Sequence, residues 1–231
     1  MRIRLDHVTH TYAGSDEAAA VQVLEDVSLD IQSGDFAVLR GASGSGKSTI
    51  LNLIGAVDRP TSGRVFLGDV ETSALDESRL TLLRRKSIGF VFQQFNLIPT
   101  LTVFENVAFP LSLAKAPDIP ARVSSMLERI GLAQRAKHYP SELSGGEMQR
   151  VAIGRAVIHH PPLIIADEPT GNLDPQLSLE IMNLFAEFGA VGTTVLIASH
   201  DLLLLKRMQK RVLVLDHGRL VDDYHPPAKA P

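Results

Sequence analysis

A chain of 231 residues with 45% hydrophobic content is long enough to bury one sizeable core, and the absence of cysteine excludes disulfides and cysteine-ligated zinc. A net charge of −3 excludes a broad basic field, so no nucleic-acid partner is expected. No apolar run approaches the roughly 18 residues needed to cross a bilayer, so any membrane association is expected to run through a partner. The composition suits a reducing cytosol, and the opening MRIRLDHV reads as an edge strand rather than a signal peptide or anchor.

In chain order, residues 2–12, 24–31 and 64–67 alternate apolar and polar side chains between Gly, Asp and Ser, which predicts a β-rich first third. Phe36, Ala37, Val38 and Leu39 predict a short buried strand, and Ile50 to Ile54 a helix closed by Gly55. Between them GASGSGKST, Gly41 to Thr49, meets the pattern Gly-x-x-x-x-Gly-Lys-Ser/Thr position for position. Glycines 41, 44 and 46 let backbone N–H groups approach an anionic phosphate chain, and the helix behind them adds the positive end of its dipole. Ala42, Ser43, Ser45 and Thr49 complete the binding segment. Lys47 supplies a point charge for the β- and γ-phosphates and Ser48 a hydroxyl for Mg²⁺. The chemistry is that of a nucleoside triphosphate site.

Turn signals at Asp58, Pro60 and Gly63 follow, and Arg84, Arg85 and Lys86 are expected on a solvated turn. Ile88 to Gln94 predicts an apolar strand ending in two amides. From Gln93 to His160 the pattern is helical: Val123, Met126, Leu127 and Ile130 fall at i, i+3, i+4 and i+7, and Gly131 stops that helix. In LSGGE, Leu143 to Glu147, the spacing of Ser144 and Glu147 is that of a capping box, which predicts a helix running through Val157. Gly145 and Gly146 leave its first N–H groups bare, an anion site resembling the phosphate loop's own. Pro161 and Pro162 end the helical stretch, and Leu163 to Ala166 predicts a central parallel strand. Asp167 and Glu168 stand at its C-terminal end, where ligands of open α/β sheets bind. Successive side chains leave a strand in different directions, so Asp167 is assigned to the Mg²⁺ shell and Glu168 to the attacking water, as general base or orienter. Ile181, Leu184, Phe185 and Phe188 predict an amphipathic helix, Thr194 to Ala198 and Val212 to Leu215 two more strands, and the tail from His225 is expected to fray. The sum is one α/β domain, 1–231, whose core (1–92 and 161–231) is interrupted by a largely helical segment, 93–160.

A P-loop, then LSGGE, then an apolar strand ending in Asp-Glu resemble the nucleotide-binding subunit of an ATP-binding cassette (ABC) transporter, over nearly the whole chain. The resemblance implies an ABC-type ATPase with a P-loop NTPase core, an N-terminal antiparallel β-subdomain and an inserted helical subdomain, using ATP and Mg²⁺. It implies a head-to-tail homodimer in which Ser144, Gly145, Gly146 and Glu147 meet the γ-phosphate of ATP held by the partner's P-loop. Tyr12 resembles the aromatic that stacks on adenine, and Gln93 the glutamine that links Mg²⁺ and water to the helical lobe. Asp174 in GNLD resembles the aspartate crossing the dimer interface, and His200 the histidine that contacts the γ-phosphate. Gln94 is a twin of Gln93, and strand alignment favours Gln93. Met148 and Gly154 depart from the glutamine and alanine common at these places, and a glycine inside a helix is expected to cost about 1 kcal/mol against alanine.

Within that family, ADEPTGNLD, IGFVFQQFNLIPTLTVFENVAFPL and YPSELSGGE are most similar to a subgroup containing LolD, the cassette domain of MacB, and FtsE. The chain carries no membrane domain, so a separate permease is implied, with the subunit bound peripherally at the cytoplasmic face of the inner (plasma) membrane. The apolar residues Phe95, Leu97, Ile98, Leu101, Val103 and Phe104 after Gln93 are expected to form the groove that receives it. Lipoprotein release, efflux and force transmission all fit this arrangement. A cell-division role like that of FtsE is the alternative, and a soluble ABC ATPase acting on DNA or ribosomes a further one, which the lack of coiled coils, zinc modules or a second cassette opposes.

Overall fold

A computed structural model describes residues 1–14 and 20–226, with 202 and 203 as backbone only. Strand β1 (Ile3–Tyr12) buries Ile3, Leu5, Val8 and His10 and pairs antiparallel with β2 (Val21–Ile31). Strand β3 (Phe36–Arg40) leads through the glycine-rich loop into helix α1 (Lys47–Ile54). The chain then returns through β4 (Ser62–Leu67) and β5 (Val70–Glu71), completing an antiparallel sheet in the order β2-β1-β4-β5. Strand β1 is therefore interior, bonded to both β2 and β4, and not the edge strand expected. Its alternation reports one buried face, and a buried face is equally compatible with an edge or a centre.

Helix α2 (Glu77–Ser87) begins at Asp76, whose side chain accepts from the Arg79 N–H. Arg84, Arg85 and Lys86 fill its last turn, where cations meet the negative end of the dipole, so the expected solvated turn is helical. Strand β6 (Ile88–Val91) stops short of the two amides, which lie on the loop beyond it. Helices α3 (Val103–Leu113), α4 (Ile119–Arg129) and α5 (Gly145–Val157) follow, α5 with the capping box expected of Ser144 and Glu147. Then come β7 (Leu163–Asp167), α6 (Pro175–Ala190), β8 (Thr194–Ala198), α7 (Leu202–Met208), β9 (Arg211–Asp216) and β10 (Arg219–Tyr224). Of the tail from His225, only His225 and Pro226 are described, so the expected fraying lies outside the described residues.

The second sheet runs β10-β9-β3-β8-β7-β6, parallel throughout except for the β9–β10 hairpin. Its central strands bury both faces. Ala37 and Leu39, Leu163 and Ile165, and Leu196 and Ala198 join α1 and the antiparallel sheet in one core. Val38, Ile164, Ala166, Val195 and Ile197 join the helices on the other side. Continuous apolar runs are what such doubly covered strands require. Gly154 sits where α5 meets its neighbours, because a Cβ there would lie 2.9 Å from Ile130 Cδ1 and 3.5 Å from Met126 Cγ. That close approach offsets the helix propensity lost to glycine.

The apolar segment after Gln93 turns largely inward. Val103 is fully buried, and Leu97 and Phe104 pack against the core of the helical side. The exposed large apolar side chains nearby are instead Phe109 and Leu113 on α3. Among the described residues no helix is long and apolar enough to cross a membrane.

Candidate functional site

Strands β3, β8 and β7 are neighbours in the sheet, so the segments leaving their C-terminal ends, at Gly41, Ser199 and Glu168, converge. The loop from β3 closes on itself through the Ser45 N–H donating to the Ala42 carbonyl at 3.2 Å. Gly46 takes φ +103°, and a Cβ there would lie 2.7 Å from Leu24 Cδ2, so both backbone and packing require glycine. Helix α1 begins at the next residue, which leaves its first N–H groups facing the loop.

The result is a cavity of about 680 Å³. Ala42, Ser43, Gly44, Gly46, Lys47, Ser48 and Thr49 line it from the loop, Asp167 and Glu168 from β7, His200 from beyond β8, and Gln93 from beyond β6. Gln94 is not in that lining. Lys47 is 8% exposed; its Nζ donates to the carbonyl oxygens of Gly41 and Ala42, each at 3.0 Å, and stands 4.0 Å from Glu168 Oε1. Glu168 Oε2 lies 2.9 Å from His200 Nδ1, so with the carboxylate accepting, Nδ1 carries the hydrogen.

Asp167 and Glu168 line the same cavity although neighbours on a strand point apart. The reason is Glu168, which has left the strand at φ +46° while its N–H still donates to the Ala198 carbonyl at 3.0 Å. A non-glycine residue in this region is uncommon and strained, and here it turns two carboxylates toward one space. Burial pushes the Asp167 carboxyl above its ordinary range and the Glu168 charge adds to that, against the opposing pull of the Ser48 hydroxyl and Lys47. Asp167 Oδ1 is buried without a hydrogen-bond partner. An orphaned carboxylate oxygen beside a serine hydroxyl and the Gln93 amide is a hard-oxygen donor set that fits Mg²⁺. Among the described residues no cluster of three or more His, Cys, Asp or Glu offers an alternative metal centre.

The remaining expected residues lie outside the cavity lining. Gly41 contributes its carbonyl to Lys47, and Ser45 is buried beneath the loop with its hydroxyl unpartnered. Tyr12 is 41% exposed, with its Oη 3.4 Å from Thr49 Oγ1 at the start of α1. Ser144 and Glu147 satisfy one another: the Glu147 N–H donates to Ser144 Oγ at 3.3 Å, and the Ser144 N–H to Glu147 Oε2 at 2.8 Å. Gly146 is buried where a side chain would run into Leu177. Asp174 caps α6, accepting from the N–H groups of Gln176 and Leu177, each at 3.0 Å. The starts of α5 and α6 thus pack together as a second patch, and none of its residues lines the cavity.

Sequence reasoning missed Val23, which lines the cavity from β2. His10 pairs with Leu24 and Thr11 with Gln22, so Val23 is the extra residue of a bulge. A bulge re-aims one side chain and leaves no mark in a pattern of alternation.

Residues 24–171 match the ABC transporter family. The cell-division ATP-binding protein FtsE of Escherichia coli (strain K12) is 45% identical over 220 residues, 94% of this chain and 96% of that protein. The lipoprotein-releasing system ATP-binding protein LolD of Pseudomonas syringae is 46% identical over 206 residues, 88% of this chain and 90% of that one. The dimeric structure of the ATP-binding cassette MJ0796, in a post-hydrolysis state bound to ADP and Pi, superposes with a TM-score of 0.88 at 41% identity, covering 96% of this chain and 98% of that one.

Proposed function

The chain belongs to the ABC transporter family, as a subunit that binds and hydrolyses ATP, and from that premise we propose that it works as a head-to-tail homodimer powering a separate membrane permease. The observation that carries the reading is the convergence of Lys47, Asp167, Glu168 and His200 on the cavity at the mouth of the glycine-rich loop. Lys47, held by two carbonyls, places its charge where the β- and γ-phosphates lie along the loop. Ser48, Asp167 and Gln93 would hold Mg²⁺, which when bound would neutralise charge on the phosphate oxygens. Glu168 accepts the proton of the attacking water, and His200 fixes the carboxylate by donating to it through Nδ1 at the edge of the cavity. Tyr12, beside Thr49, offers the aromatic surface for adenine.

The signature residues Ser144 to Glu147 and Asp174 share a surface apart from their own chain's cavity, which supports their completing the partner's site. The permease is expected in a groove of about 340 Å³ lined by Phe90, Phe109, Pro110 and Leu113, with Arg85 and Arg155 at its sides. Arg155 donates to the carbonyls of Asn96 and Phe95, which ties this groove to the loop that carries Gln93. The resulting place of work is the cytoplasmic face of the inner membrane. FtsE and LolD stand at similar distances from this chain, so force transmission across the membrane and extraction of a lipoprotein are both compatible with it.

The test is Glu168→Gln, which keeps the shape of the side chain and removes the base. The variant is expected to bind ATP, fail to release phosphate and elute as a dimer with Mg²⁺-ATP. Monomeric elution, or hydrolysis at the native rate, would overturn the assignment.

A further inference from the structure

His10 lies two residues before Tyr12 on β1, so both side chains leave the same face of the strand. It is 5% exposed, and neither ring nitrogen has a hydrogen-bond partner. Nε2 faces Asp58 Oδ2 at 3.5 Å, close enough for an ion pair but without hydrogen-bond geometry, which links the ring to the turn between α1 and β4. A buried imidazole with no hydrogen bond is a costly way to fill space, since an apolar side chain of similar size would leave no polar atom stranded. What the ring does make is an aromatic contact: it meets the Tyr12 ring at 83°, with centroids 4.5 Å apart. Edge-to-face is the arrangement that ring quadrupoles favour. At its other end Tyr12 reaches Thr49, so this exposed aromatic is held at two points.

We propose that His10 is a positioning residue for the nucleotide base, holding the Tyr12 ring in the one orientation on which a purine stacks. This rests on the reading of Tyr12 as the adenine platform. An exposed tyrosine free to turn about its side-chain bonds loses that freedom when a base stacks on it, and a ring already fixed by its neighbour does not. The binding of the phosphate chain, made by the loop and Lys47, is untouched by His10.

The experiment titrates ATP and, separately, inorganic tripolyphosphate into the full chain and its variants in one Mg²⁺ buffer. Tyr12→Ala is expected to weaken ATP about 5- to 50-fold and to leave tripolyphosphate unchanged. His10→Leu, which fills the space without a ring, is expected to weaken ATP about three- to tenfold, again without effect on tripolyphosphate. In the Tyr12→Ala background the same substitution is expected to add nothing, because its route to the ligand has been removed. His10→Phe, which restores a ring edge, is expected to hold ATP affinity within twofold of the native chain. Should the leucine variant fail to fold, the phenylalanine variant decides: more than a tenfold loss of ATP affinity there overturns the ring contact. Equal loss of both ligands in His10→Leu, or additivity with Tyr12→Ala, overturns the proposal by showing a structural or independent role. Native ATP affinity in His10→Leu when Tyr12→Ala is weakened overturns the proposal alone. Native affinity in Tyr12→Ala overturns the platform reading beneath it.

Discussion

Asp167 shows how a single residue can be kept against its own contribution to stability. Its carboxyl is raised by burial, so between the ordinary carboxylate value and that raised value the folded chain binds more protons than the unfolded one. Stability attributable to this group therefore falls as pH rises through that window and stays lower above it. Asp167→Asn removes the buried charge and is expected to raise the melting temperature of the ligand-free chain at neutral pH by about 2–4 °C, roughly 1 kcal/mol. The difference should shrink in thermal melts at lower pH, where the native carboxyl is protonated, and a lower melting point at neutral pH would show that Asp167 is already compensated. The same variant is expected to lose Mg²⁺-dependent hydrolysis, since the amide cannot replace the anionic ligand. At Lys47, by contrast, the charge itself is what binds: Lys47→Ala is expected to reduce ATP affinity by more than a hundredfold in equilibrium dialysis, and an unchanged affinity would remove the role assigned to the loop.

Among elements, legibility followed burial. Strands β3, β7 and β8 were readable because each buries both faces, and α5 because its cap is written in the chain as Ser144 and Glu147. Helix α2 was not readable: among its residues only Leu80 is buried, so there is no apolar stripe for periodicity to detect. Strand β10 is mostly exposed, and the four consecutive leucines of α7 carry no period at all. The site divides in the same way. The residues of the glycine-rich loop, Asp167 and Glu168 are marked in the chain by motif and strand end, whereas Val23 enters the lining through a bulge, and the contact of His10 with Tyr12 two residues along the same strand shows only once the rings are placed. Density of apolar residues after Gln93 does not say which way each side chain turns, and Leu97, Val103 and Phe104 turn toward the core. Two substitutions separate the surfaces. Leu97→Glu, at a position packed on the helical core, is expected to lower the melting temperature by about 4–8 °C, from a cost of about 2 kcal/mol. Leu113→Glu, 49% exposed, is expected to change it by no more than about 2 °C and yet abolish capture of the permease from detergent-solubilised membranes. A permease held at native level by the Leu113 variant would move the interface elsewhere.

On the proposed reading the molecule presents two half-sites, the cavity of the glycine-rich loop and the signature surface, which open on different places. Isolated, each half is incomplete on this reading: the cavity is lined without any signature residue, and the signature has N–H groups at a helix start and no phosphate of its own. Two copies related by a twofold axis satisfy both deficits at once, because a closed isologous arrangement brings each signature to the opposite loop. This makes the effect of a signature mutation dependent on the partner. Ser144→Arg is expected to leave ATP binding to each chain within about twofold of native while removing hydrolysis. Lys47→Ala is expected to be inactive for the opposite reason, having lost the cavity and kept the signature. Mixed in equal amounts, the two inactive chains can assemble a dimer with one intact composite site, formed by the loop of the Ser144 variant and the signature of the Lys47 variant. Phosphate release should therefore reappear in the mixture and in neither parent. If Ser144→Arg weakens ATP binding to the single chain more than tenfold, or if the mixture stays as silent as its components, the signature serves its own subunit and the shared-site dimer is wrong.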